Sequence, residues 1–192
     1  MDAPISVNYE NVRQASDFWC WAAVAANVYN SFLPLAEPFS PAGRKLHQCD
    51  VAQKVNQSCQ SPGPFSLVVA LESWTPLGQS PRGLGIFEAA YHATDTSLFQ
   101  RISGELTATA TRSGEPVCAE VDLGSPGTLT HFVTITGFDP LTHNVWVADP
   151  FPGGESVEFT LDDFLHRYHY KNPAGGGAHA GGVVKSVYAV HR

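Results

Sequence analysis

Phe18-Trp19-Cys20-Trp21-Ala22-Ala23-Val24-Ala25-Ala26-Asn27-Val28-Tyr29-Asn30-Ser31-Phe32-Leu33-Pro34-Leu35-Ala36 is a run of nineteen residues without a charge. That is nearly the length of a membrane span. Asn27, Asn30, Ser31 and Pro34 interrupt it and alanine dominates it, so it reads as a buried helix. Ser16-Asp17 offers a cap, the helix is expected over about residues 19–32, and Pro34 stops it. Trp21, Val24, Ala25, Val28 and Phe32 share one face at the helical period. Cys20 then stands at the mouth of an apolar helix. Unpaired amide N–H groups and the helix dipole favour an anion there, the setting of a reactive thiolate. A buried core cysteine is the plain alternative.

Outward from this helix, further helices are expected over residues 44–55, 64–74 and 103–112, with a loop-rich stretch over 73–98 that holds a short element around 84–92. The second part of the chain changes period. Residues 117–123, 131–138, 145–149, 155–159 and 183–190 read as strands. Asp139-Pro140-Leu141-Thr142-His143-Asn144 is the turn of a hairpin. Thr160-Leu161-Asp162-Asp163 starts a capped helical turn toward Tyr168. Residues 172–182, with five glycines, read as a loop. Helices first and antiparallel strands second make an α+β domain. One domain is expected over residues 1–192, with a helical half over about 14–112 and a β half over about 113–192.

Of 192 residues, 43% are apolar and 15% charged, enough for a core and too few charges for a disordered chain. Eleven basic against eighteen acidic residues give −7, with no basic cluster, which argues against nucleic-acid binding. The start, Met1-Asp2-Ala3-Pro4, has neither a basic nor an apolar signal region. Cytoplasmic residence, secretion without a cleavable signal, or a domain cut from a longer chain is the expectation. Four cysteines, at 20, 49, 59 and 118, are too few for a disulfide scaffold and form no CxxC pair. His166 and His169 read as a solvated helix end, and neither metal nor cofactor is expected.

His131 opens the strand His131-Phe132-Val133-Thr134-Ile135. With the hairpin turn centred near Leu141 or Thr142, residues whose numbers sum to about 281–283 lie opposite. Asp149 falls close across from His131 at the open end. The period of two puts His131, Val133 and Ile135 on one face with Val145, Val147 and Asp149 of the partner strand. A carboxylate there can orient the imidazole. Asn144, the competing orienter, sits at the turn end, about 20 Å away at ~3.3 Å per residue. Gln14, six residues before Cys20, can donate its amide into an oxyanion hole together with the Cys20 backbone N–H. For each residue a structural role is the bland alternative.

Gln14, Cys20-Trp21, His131 and Asp149 together resemble the catalytic apparatus of papain-like cysteine proteases. Phe18-Trp19 replaces the Gly-Ser that usually precedes the cysteine, His131 follows at 111 residues, and Asp149 replaces the usual Asn. These departures resemble a compact bacterial branch, the staphopains and plant-pathogen effector proteases. Trp19-Cys20-Trp21-Ala22-Ala23-Val24, Gln48-Cys49-Asp50-Val51-Ala52, Cys59, Gly114-Glu115-Pro116-Val117, His131-Phe132-Val133, Gly137-Phe138-Asp139 and Asp149-Pro150 carry that similarity. It spans roughly residues 14–170. It implies a papain-like fold, with the nucleophile helix packed on a C-terminal antiparallel sheet, and an endopeptidase. Cys20, His131 and Asp149 would form the triad, and Gln14 would line the oxyanion hole. Cys49 and Cys59 are candidates for a disulfide closing the segment after the second helix. Trp21 and Trp146 are expected to pack the helix against the sheet, and Cys118 to be a strand core residue.

The resemblance further implies a protein or peptide substrate, a secreted bacterial effector or toxin delivered by a specialised machine, and an inhibitor or immunity protein as partner. Rival readings are a cell-wall amidase, disfavoured by the long Cys-to-His interval, a peptide acyltransferase using the same pair, and an inactive binding domain on this scaffold.

Overall fold

The computed structural model describes residues 4–32, 45–60, 63, 65–72, 91–92, 98–107, 114–124, 130–151, 156–169 and 182–189. Among these the chain is α+β. The elements in order are β1 (Ile5–Ser6), α1 (Cys20–Ser31), α2 (Gln48–Lys54), α3 (Leu67–Glu72), β2 (Tyr91–His92), α4 (Leu98–Leu106), β3 (Val117–Asp122), β4 (Thr130–Asp139), β5 (Asn144–Ala148), β6 (Val157–Thr160), α5 (Leu161–Arg167) and β7 (Val183–Ala189). The strands form one sheet in the order β2-β7-β3-β4-β5-β6, with β1 on β4 and every pairing antiparallel.

Both faces of the sheet are covered. Val117, Ala119 and Val121 of β3, Val133 and Ile135 of β4 and Val145 and Val147 of β5 face a core closed by α4 and α5. Cys118, Phe132 and Tyr188 point to a second core, built from α1, α2 and α3. Because both faces are covered, β4 is buried without a break from His131 to Phe138, Thr134 and Thr136 included. Each fully buried Val, Ile or Phe contributes roughly 1.5–3 kcal/mol.

α1 is buried on all sides. Cys20 through Tyr29 are all buried, not only the expected stripe, because the helix lies between the sheet and its companions α2 and α3. Small Ala22, Ala23, Ala25 and Ala26 permit that packing. The polar members are bonded: Asn27 donates to the Val12 carbonyl at 3.1 Å, and Asn30 exchanges two bonds with Leu46, at 3.0 and 2.8 Å. The expected Ser16-Asp17 cap does not form. Trp19 is the N-cap, without a side-chain bond, and Ser16 instead closes a turn through Trp19 N–H···O at 3.0 Å.

Other differences are local. α2 begins at Gln48, capped by a reciprocal His47–Asp50 arrangement, four residues later than expected. α3 is confined to Leu67–Glu72, and Pro64 and Trp74 lie outside the described residues, as do Pro34 and residues 172–181. α4 starts at Leu98, not at Ser103. Leu98, Ile102 and Leu106 recur every four residues as one buried stripe, and that stripe sets the start of the helix. Residues 108–112 lie outside the described residues. β1 was not expected at all. It is admitted by Gly137, where a Cβ would lie 2.7 Å from the Ile5 carbonyl oxygen. With β1 and β2 before residue 113 and α5 after it, the division into a helical half and a β half is not clean. Trp21 is packed, 1% exposed, bonded through Nε1 to the Gly63 carbonyl and set against Phe65. Cys118 is a β3 core residue whose thiol burial pushes up to about 12. No helix among the described residues is long and apolar enough to cross a membrane.

Candidate active site

Three elements converge on one buried cluster. Cys20 is the first residue of α1 and a free thiol. His131 is the second residue of β4, and Asp149 directly follows β5. All three are buried. The hairpin register pairs Thr134 with Ala148 and Ile135 with Val147, both summing to 282. Extending it puts Val133 opposite Asp149, so His131 reaches the carboxylate along a diagonal, a span that long side chains bridge. A bulge between Ile135 and Gly137, which the sequence did not signal, shifts the sum to 283 toward the turn. Asn144 is at the far end, bonded to Glu158.

The imidazole Nε2 and Asp149 Oδ1 are 2.8 Å apart. The Cys20 side chain lies near enough to the same ring to act on its charge. With Nε2 committed to the carboxylate, Nδ1 is the nitrogen left to face sulfur. Burial opposes the imidazolium, but the Asp149 charge and hydrogen bond, then the Cys20 side chain, overcome it and push His131 up to about 10. Burial likewise works against the Asp149 carboxylate. The His131 cation, the hydrogen bonds from His131 and Tyr168, and the Phe151 N–H outweigh it and hold Asp149 below its usual value. The charged forms of His131 and Asp149 are thus favoured together although both are buried.

Tyr168 was not foreseen. Its hydroxyl donates to Asp149 Oδ2 at 2.5 Å, while the Phe151 N–H donates to Oδ1 at 2.8 Å. Tyr168 follows α5, which Thr160 caps by accepting the Asp163 N–H at 3.1 Å. Its ring is fixed against Phe159 and Phe164, with centroids 5.5 and 5.9 Å away. A tyrosine after a capped helical turn is legible in the sequence, but its reach to Asp149 depends on how α5 folds back on the sheet.

Gln14 is buried beside the strands of chain that lead to both ends of the triad. Its backbone N–H donates to the Pro150 carbonyl at 2.7 Å, and Asn11 Nδ2 donates to the Asp149 carbonyl at 2.9 Å. Its side-chain Nε2 donates to the Ser16 carbonyl at 2.7 Å, the same oxygen that receives the Trp19 N–H. An amide carries two N–H donors, so one remains for another oxygen. Among the described residues the buried side-chain polar atoms without a partner are Asn11 Oδ1, Gln14 Oε1 and Trp19 Nε1. All three lie on the segment running into Cys20.

Cys49 and Cys59 form a disulfide, their Cα atoms 5.3 Å apart. No group of three His, Cys, Asp or Glu side chains among the described residues is placed to hold a metal ion. His166 and His169 are exposed at the end of α5.

No protein-family model matches the chain, and no curated protein matches it in sequence. The arrangement itself is a buried free thiol near an imidazole that is bonded to a carboxylate, with a tethered amide nearby in sequence. Such a set can carry out nucleophilic acyl transfer.

Proposed function

We propose that the chain is a cysteine endopeptidase of papain-like fold that hydrolyses protein or peptide substrates through Cys20, His131 and Asp149. The single observation that carries this is the buried His131 ring, bonded to the Asp149 carboxylate at 2.8 Å and acted on by the nearby Cys20 side chain. The Cys20 thiolate attacks the peptide carbonyl carbon. The carbonyl oxygen takes up negative charge against the Cys20 amide and the second Gln14 N–H. His131 then gives its proton to the leaving amine as the C–N bond breaks, forming a thioester. Water attacks the thioester, His131 takes its proton, and the C–S bond breaks to release the acid and restore the thiolate beside protonated His131. Asp149 holds the ring and the charge upon it throughout. By resemblance, the setting is that of a secreted bacterial effector or toxin, with an immunity protein in the producer.

The test is cleavage of a denatured protein and a peptide library by wild type, Cys20→Ala and His131→Ala. Wild type is expected to give products that gain water, and both variants none. Products that lose ammonia or carry a cross-link point to acyl transfer instead. A Cys20→Ala protein that cleaves at the wild-type rate would falsify the proposal.

A further inference from the structure

Gln48 opens α2 within the stretch Gln48-Cys49-Asp50-Val51-Ala52, which the triad leaves unused. Its side chain is buried, and both ends of the amide are bonded. Oε1 accepts the Ala15 N–H at 2.8 Å, and Nε2 donates to the Arg13 carbonyl at 2.7 Å. These two backbone groups flank Gln14. We propose that Gln48 is a positioning residue that fixes the oxyanion amide of Gln14. This rests on the peptidase function above.

The argument is one of constraint. The Gln14 backbone N–H is held by Pro150, the carbonyl before it by Gln48 Nε2, and the N–H after it by Gln48 Oε1. The peptide planes on either side of Gln14 are thereby pinned, so its side chain leaves the backbone in one direction. The clamp stands on a firm base. Val51 and Ala52 of α2 are buried against α1, and Asn30 of α1 bonds Leu46 in both directions just before α2. The Cys49–Cys59 disulfide joins the residue after Gln48 to the chain beyond the helix. Gln48 therefore registers Gln14 to α1, the helix that carries the nucleophile. Only a glutamine makes both bonds at this reach. Methionine makes neither, and glutamate sets an anionic oxygen against the Arg13 carbonyl. A misplacement of about 1 Å in such a donor costs about 100-fold in rate.

The experiment compares the full chain as wild type, Gln48→Met, Gln48→Glu, Gln14→Ala and Gln14→Ala/Gln48→Met. It measures kcat and KM on a peptide substrate and the rate of Cys20 alkylation by iodoacetamide. Alkylation generates no oxyanion, so it reports the Cys20–His131 pair alone. Each Gln48 variant is expected to lose about 10- to 100-fold in kcat, with KM and alkylation within about twofold of wild type. In the Gln14→Ala background Gln48→Met is expected to cost less than about threefold more. Wild-type kcat in Gln48→Met, a full multiplicative loss in the double variant, or a parallel fall in cleavage and alkylation overturns the inference. Should Gln48→Met not fold, Gln48→Glu carries the same readouts. If wild type shows no Cys20-dependent cleavage, the function fails and the inference with it. If that cleavage is present and Gln48 is neutral, only the inference fails.

Discussion

Replacing Tyr168 by phenylalanine removes one oxygen from the protein and leaves the ring between Phe159 and Phe164 in place. The lost contact is a buried hydroxyl donating to Asp149 Oδ2 at 2.5 Å. A hydrogen bond to a charged group contributes about 1.5–3 kcal/mol, and both Tyr168 and Asp149 are buried. The variant is expected to lose about 2 kcal/mol at pH 7, which lowers Tm by about 4–8 °C for a domain of this size. The pH dependence identifies the cause. Tyr168 favours the ionised carboxylate, so its loss raises the folded-state pKa of Asp149. A depressed carboxylate contributes stability above its unfolded pKa and loses it as pH falls through the folded pKa. The gap between the two proteins is therefore fullest at neutral pH and narrows as pH falls below about 4. Urea denaturation of both proteins from about pH 2 to 8 measures it. A gap below about 0.5 kcal/mol at pH 7, or one that does not change with pH, refutes this account of how Asp149 is kept charged.

Three further outcomes follow from other parts of the molecule. His131 is pushed up to about 10, so its stabilising contribution is complete below the unfolded value near 6.5 and is lost as pH rises through about 10. Wild-type stability should fall from neutral pH toward pH 10 more steeply than that of His131→Ala, and parallel curves count against the ion pair. Reduction of the Cys49–Cys59 bridge should cost about 3 kcal/mol from the short loop it closes. Calorimetry with and without reductant reads that loss, and mass spectrometry under non-reducing conditions should show two free thiols, not four. Gly114→Ala would drive a Cβ to 2.1 Å from the Leu106 carbonyl oxygen, where the chain doubles back over the end of α4. A loss of about 1–3 kcal/mol is expected, and wild-type stability would mean that the crossing is looser than described.

Period and punctuation made the central elements legible. The alanine-rich run gave α1 within a residue at each end, because length, lack of charge and Pro34 all agreed. The hairpin of β4 and β5 followed from the turn Asp139–His143, whose Asp139 Oδ1 accepts the Leu141 N–H. That hairpin in turn brought His131 and Asp149 within reach of each other. What escaped depends on tertiary packing. Leu98, Ile102 and Leu106 are a stripe only once the sheet supplies a face to bury them against. Ile5–Ser6 is too short to carry a period and is a strand only because Gly137 leaves it room. Tyr168 and Gln48 meet their partners 19 and more than 30 residues away, and no local pattern encodes such meetings. Ser16 shows the opposite failure: a good capping residue whose carbonyl, not its hydroxyl, serves the fold.

The carbonyl of Ser16 receives both the Gln14 side-chain amide and the Trp19 N–H. A single oxygen thus gauges the six-residue interval from amide to sulfur. Such an interval does not tolerate indels: one residue gained or lost there would part the two donors from their common acceptor and swing one functional group away from the other. The tip of the β4–β5 hairpin, where Leu141 is 63% exposed, carries no such metering. Fluorophores, affinity handles or spliced peptides belong there.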